Sequence, residues 1–172
     1  MLSRKGLNMS DEFKISLAQL NATVGDLSGN TQKVMEAWEI ARDQRSDLIA
    51  FPELFITGYN PQDLILKTAF QKAATSSIDQ IAKACAQGPA IAIGGPFYDD
   101  NKLYNSYYIL ADGKIQAVIK KHHLPNEEVF DEVRLFSSGN VDGPFQIGKM
   151  RIGSPICEDA WHTDIVETLA ET

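Results

Sequence analysis

Cysteine is almost absent: Cys85 and Cys157 are the only two in 172 residues. One possible pair is no disulfide framework, so a stapled secreted scaffold is excluded and a reducing cytoplasm is the expected setting. Histidine is as sparse, with three in the chain and no Cys/His spacing of the zinc-binding kind, so no metal site is expected. Positive charge is in deficit, 16 Lys and Arg against 23 Asp and Glu for a net −7. Such a surface repels phosphate backbones and anionic lipid, which argues against nucleic-acid and membrane partners. Long apolar runs are missing as well. Ala90-Ile91-Ala92-Ile93 is typical of the longest, far below the roughly 20 residues a bilayer span requires. Met1 to Ser10 carries Arg4 and Lys5 with no apolar stretch behind them, so residues 1–12 read as a flexible leader and not an export signal. Repeats and low-complexity tracts are lacking too, and composition marks no internal boundary.

The chain does contain an alternation of element types. Phe13 to Leu20 reads as a short strand, followed by turn residues Asn21 to Asp26. A helix capped by Asn30 follows, with Val34, Ala37, Trp38 and Ala41 on one face. Asp47 to Phe51 is a buried strand halted by Pro52, and Tyr59 to Asp63 is a loop opening a second helix that shows Ile78, Ile81, Ala82 and Cys85 on its apolar side. Ala90 to Gly94 makes another strand. Leu103 to Leu110 and Lys114 to Lys121 flank Asp112-Gly113, a strong hairpin signal. Leu124 to Gly143 is polar and long enough to suggest a functional loop. A further hairpin is expected from Phe145–Ile147 and Met150–Ile156, and a helix from Thr163. The class is α/β, or α+β with helices on one face of a mixed sheet.

Open sheets place their chemistry at strand ends. Three reactive side chains fall there: Glu53 after the strand ending at Phe51, Lys121 at the close of the hairpin, and Cys157 after the strand from Met150. A thiolate nucleophile is favoured by an adjacent ammonium, and a carboxylate can take the thiol proton. Glu53 would then be the general base toward Cys157 and later the proton donor to a leaving amine. Lys121 and the backbone N–H of Glu158 would hold the oxyanion of a tetrahedral intermediate. Each residue also has a bland reading: a small buried apolar cysteine, a solvated loop carboxylate, and an exposed lysine beside Lys120. His122 and His123 suggest a Cys-His dyad, since histidine is the usual partner of a nucleophilic cysteine, but they adjoin Lys121, which argues against it.

Three segments carry a resemblance. Phe51-Pro52-Glu53-Leu54-Phe55-Ile56-Thr57-Gly58-Tyr59, Lys121-His122-His123-Leu124-Pro125-Asn126 and Gly153-Ser154-Pro155-Ile156-Cys157-Glu158-Asp159 resemble, in order, the signature segments of the carbon–nitrogen hydrolase (nitrilase) superfamily. Val129-Phe130-Asp131-Glu132 with Arg134 and Phe136, Cys157-Glu158-Asp159-Ala160-Trp161, and Ala18 to Asp26 are similar to one branch, the glutaminase domain of glutamine-dependent NAD synthetase. The likeness runs from Phe13 to the end of the chain. It implies an α-β-β-α sandwich over residues 13–172, with Glu53, Lys121 and Cys157 as catalytic triad and glutamine as substrate. Ammonia and glutamate would be the products, with no cofactor for that step. Tyr59, Phe130 and Glu158 match positions lining the glutamine pocket. Where the family commonly has Tyr-Gly after Leu-Pro-Asn, this chain has Glu127-Glu128, which alters the substrate contact expected at Glu127.

The resemblance further implies a synthetase domain that uses ATP and magnesium to amidate nicotinic acid adenine dinucleotide, and a homo-oligomer. A complete sandwich needs more chain than these residues provide, so the expectation is an amino-terminal part of the domain, incomplete at its C-terminus and with little activity by itself. A stand-alone amidase of the same superfamily and an inactive fragment with exposed edges are the alternatives.

Overall fold

The computed structural model describes residues 12–172. The leader expected over 1–12 therefore lies, apart from Glu12, outside the described residues. Five strands form one mixed sheet in sequence order: β1 (Ile15–Leu17), β2 (Leu48–Ala50), β3 (Ala90–Asp99), β4 (Lys102–Ala111) and β5 (Lys114–Lys120). The β1, β2 and β3 strands run parallel, joined by helices, whereas β3, β4 and β5 form an antiparallel meander. The second turn of that meander is Asp112-Gly113, both at positive φ as a tight hairpin demands.

Helices α1 (Leu27–Asp43) and α2 (Thr68–Ala84) cover one face. Their spaced apolar residues Val34, Trp38, Ala74, Ile78 and Ile81 pack on Ile49, Ile91, Ile93 and Tyr108 of the sheet. The expected cap moves: α1 starts four residues earlier than an Asn30 cap implies, because the Asp26 carboxylate accepts the Gly29 N–H at 2.8 Å. Asn30 sits instead inside the helix, fully buried, where its amide bonds Thr23 and the carbonyl of Ile56. It thus ties the first turn to the segment carrying Glu53.

On the opposite face lies a hairpin of β6 (Phe145–Ile147) and β7 (Met150–Ile152), with Phe145 packed against Leu48, Ala90, Ala92 and Ile109. The strand expected to run to Ile156 stops at Ile152, since Gly153 is a poor strand residue and Pro155 has no N–H for a ladder. Helix α4 (Thr163–Glu171) packs beside the hairpin, with Leu169 against Gly153. Two helices thus cover one face of a mixed central sheet and a hairpin the other, an arrangement consistent with the sandwich that the resemblance implies. Among the described residues no helix is long and apolar enough to cross a membrane.

Candidate active site

Glu53 is placed by backbone. After β2 the chain keeps pairing with β3, through Phe51 N–H to Ala92 O at 2.8 Å and Ile56 N–H to Gly94 O at 3.1 Å. The intervening loop presses so closely on β3 that a Cβ on Gly94 would lie 2.1 Å from the Leu54 nitrogen. Only glycine allows that approach. Lys121 follows β5 directly; its N–H bonds Asn105 O at 2.9 Å and its carbonyl accepts Gly139 N–H at 2.8 Å. It stands one residue past the strand rather than within it.

Lys121 is fully buried, which removes the reading of an exposed basic rim. Its Nζ lies 2.7 Å from Glu53 Oε1 and 3.0 Å from Glu132. Burial alone would lower the lysine pKa, but the two carboxylates outweigh it and hold the ammonium charged. Glu132 opens the short helix α3 (Glu132–Leu135) inside the long polar loop and is itself buried. Its carboxyl is pushed up by that burial and pulled back by Lys121. Asn105, on β4 and fully buried, donates from Nδ2 to Glu53 Oε1 at 2.6 Å and to Glu132 Oε2 at 3.3 Å.

Cys157 does not end a strand; it begins a 3-10 turn (Cys157–Trp161) five residues beyond the end of β7, with φ +47°. Left-handed backbone is unusual for a residue with a side chain and marks a sharp, overdetermined turn. The thiol is exposed and faces a cavity of about 180 Å³ lined by Phe51, Glu53, Tyr107, Ser154, Pro155 and Ile156. Its pKa is raised, first by desolvation, then by the charge of Glu53, with Lys121 pulling the other way. The turn is locked by Asp159, a buried carboxylate that accepts N–H groups from Ile156, His122 and His123. The peptide after Lys121 and the peptide before Cys157 are therefore held by one side chain.

Glu53, Lys121 and Cys157, distant in sequence, stand together. Glu127, Phe130 and Glu158 line a neighbouring cleft of about 540 Å³ with His123 and His162. Tyr59 is not on that cleft; its hydroxyl lies 3.5 Å from Glu132, and burial followed by the charge of Glu53 raises its pKa. Neither His122 nor His123 forms a dyad with Cys157: His122 Nδ1 bonds Gly139 O at 2.7 Å, and His123 pairs with Asp164 and stacks on His162. The two histidines and Asp164 could offer ligand atoms to an ion, all within 4.8 Å. Cys85 is buried at the end of α2, its pKa raised to about 11 chiefly by desolvation, which keeps it an unreactive thiol.

Reasoning from residue types alone passes over Glu132 and Asn105. Glu132 reads as one more acid in an acidic loop. Asn105 did carry a signal, an amide amid the aromatic run Tyr104 to Tyr108 of a buried strand.

The carbon–nitrogen hydrolase family pattern matches residues 14–172. The glutamine-dependent NAD(+) synthetase of Rhodobacter capsulatus is 48% identical over 162 residues, 94% of this chain and 29% of that protein. Its counterpart from Thermotoga maritima is 39% identical over 150 residues, 87% of this chain and 26% of that protein. Among solved structures, glutamine-dependent NAD+ synthetase from Acinetobacter baumannii in complex with adenosine diphosphate superposes with a TM-score of 0.87 at 34% identity, over 92% of this chain and 30% of that one. An amidase from Nesterenkonia shares the fold, with a TM-score of 0.79 at 23% identity. The chain spans less than a third of the length of the synthetases it matches. With nearly its whole length matched, and its three motif segments gathered around one buried lysine, the chain belongs to the carbon–nitrogen hydrolase family.

Proposed function

We propose that this domain hydrolyses the side-chain amide of glutamine through a thioester on Cys157. The observation that carries the reading is Lys121: a fully buried ammonium held between Glu53 and Glu132, beside an exposed thiol on a left-handed turn. A lysine buried at such desolvation cost is there to keep a charge in place. In the proposed reaction Glu53 takes the thiol proton as sulfur attacks the amide carbon. The oxyanion that develops is met by Lys121 Nζ and by the N–H of Glu158. Glu53 returns the proton to the departing nitrogen, ammonia leaves, and a water that Glu53 deprotonates cleaves the thioester to glutamate. The cleft bearing Glu127, Phe130 and Glu158 would receive the rest of the substrate, with Tyr59 acting from the Glu132 side.

The step needs no cofactor, and Glu53 and Glu132 are both engaged by Lys121. The similarity to NAD synthetases supports the choice of glutamine over other amides, and in the proposed reading the ammonia would serve an ATP- and magnesium-dependent amidation of nicotinic acid adenine dinucleotide. That amidation would be carried out by a synthetase domain of the same parent chain, in a homo-oligomer in the cytoplasm, where Cys157 stays reduced. The test is ammonia release from glutamine by the parent protein. Cys157→Ala is expected to lower it by about 10⁴–10⁶-fold; undiminished release rejects the nucleophile. A stand-alone amidase would release ammonia from simple amides as readily as from glutamine.

A further inference from the structure

Two donors converge on a single oxygen of Glu53. Lys121 Nζ lies 2.7 Å and Asn105 Nδ2 2.6 Å from Oε1, and among the described residues no hydrogen bond is made to Oε2. We propose that Asn105 is a positioning residue that, with Lys121, pins Glu53 through Oε1 and thereby assigns Oε2 as the atom that takes the thiol proton. The inference rests on the role proposed above for Glu53 and Cys157.

The chemistry of the amide fixes its orientation. The groups facing Asn105 are two carboxylates, both acceptors, so only the NH₂ end can point at them. That orientation leaves Oδ1 buried without a partner, an arrangement native interiors rarely tolerate. The amide is therefore turned toward the carboxylates at a cost to its own oxygen. Its main chain serves the same cluster, since the Asn105 carbonyl accepts the Lys121 N–H at 2.9 Å. One β4 residue thus holds the lysine by its backbone and both acids by its side chain. The Asn105 hydrogen bond also favours the charged form of Glu132, opposing the burial that raises it. An oxygen already accepting from an ammonium and an amide is a poor proton acceptor, so the proton from sulfur goes to Oε2. The reacting geometry then has one solution instead of two.

The test uses the parent protein with Asn105→Leu, which keeps the shape and removes the donor, and Asn105→Asp, which replaces the donor with a third acid. Ammonia release and alkylation of Cys157 by iodoacetamide, located by mass spectrometry, are followed against pH. Asn105→Leu is expected to lower kcat by about 10²-fold, the cost of a misplaced reacting group, with little change in KM. The acid limb of the kcat/KM profile should move to higher pH, because a donor that favours the ionised form of Glu132, buried beside Glu53 and Lys121, is gone. Asn105→Asp should move it further. A limb that stays in place in folded variants overturns the proposal, as does a purely structural loss seen only in the unfolding midpoint. Should neither variant fold, neutron diffraction of the unsubstituted protein decides: deuterons on Nδ2 directed at Glu53 Oε1 support the assignment, and Oδ1 facing that oxygen overturns it. Full activity of Cys157→Ala would instead overturn the parent reading, so the two failures are distinct.

Discussion

The cluster at Lys121 and the cleft rim at Glu127 are neighbours in sequence and are built in opposite ways. Lys121, Glu132 and Asn105 are buried, and each polar contact among them joins a different element: β4, the end of β5, the loop after β2 and α3. The rim residues Asn126 to Val129 are exposed loop, with Val129 at 77%. Sheet ladders hold their ends to within a fraction of a hydrogen bond, so a charge cluster placed there is preorganised. A loop held mainly by its flanks can change residue type, as it does at Glu127-Glu128, without disturbing the cluster. On the proposed function, a fixed reaction centre and a replaceable substrate rim would thus be divided between sheet and loop.

The sharpest way to break the contrast is Lys121→Met. Removing the cation leaves Glu53 and Glu132 facing each other with one of them buried, and about 3–5 kcal/mol of unfolding free energy should be lost in a urea titration. A loss comparable to a surface change would place the cluster among ordinary solvated ion pairs.

Glu53→Gln separates reactivity from turnover. The Glu53 charge is, after desolvation, the largest influence raising the Cys157 thiol pKa. Without it the thiol ionises at lower pH, so alkylation at pH 8 should quicken while ammonia release falls by about 10²–10⁴-fold. Unchanged alkylation together with unchanged turnover would show that Glu53 does not act on the thiol.

Asp159→Ala tests whether the turn at Cys157 belongs to the rigid region. It deprives three backbone N–H groups of a charged acceptor and should cost about 2–3 kcal/mol. A neutral outcome would move the Cys157 turn to the tolerant side of the comparison.

Glu127→Ala should have the smallest effect, under about 0.5 kcal/mol in stability. In KM for glutamine it should be less than about tenfold, roughly what one modest hydrogen bond is worth. A large rise in KM would show that the rim reads the substrate as strictly as the cluster performs the chemistry.

Much of the fold was legible because it rests on local rules. Asp112-Gly113 marks its hairpin through positive φ, and Val34, Trp38 and Ala41 mark the inward face of α1 through helical spacing. Boundaries were less legible where one side chain chose between jobs. Asn30 has the chemistry of a cap, but Asp26 takes the cap and Asn30 is spent on Thr23 and Ile56. The β3 strand runs five residues past the expected Gly94, to Asp99, because Gly94 and Gly95 are needed for close packing and Pro96 lies within a strand paired on its other edge.

The sequence alone determined most of the strands and the long helices, which residue types could carry acyl chemistry, and in which segments they lie, since turn residues, periodicity and the identity of reactive side chains are properties of short stretches of chain. Which carboxylates matter was decided only by folding. Glu132 and Glu127 are both acids of one loop, yet one is sealed against Lys121 and the other faces solvent. Desolvation and hydrogen-bond supply depend on residues far away in the chain, on Asn105 of β4, on the glycine that admits Glu53, and on Asp159 beyond Cys157. Those influences exist only once the elements have packed.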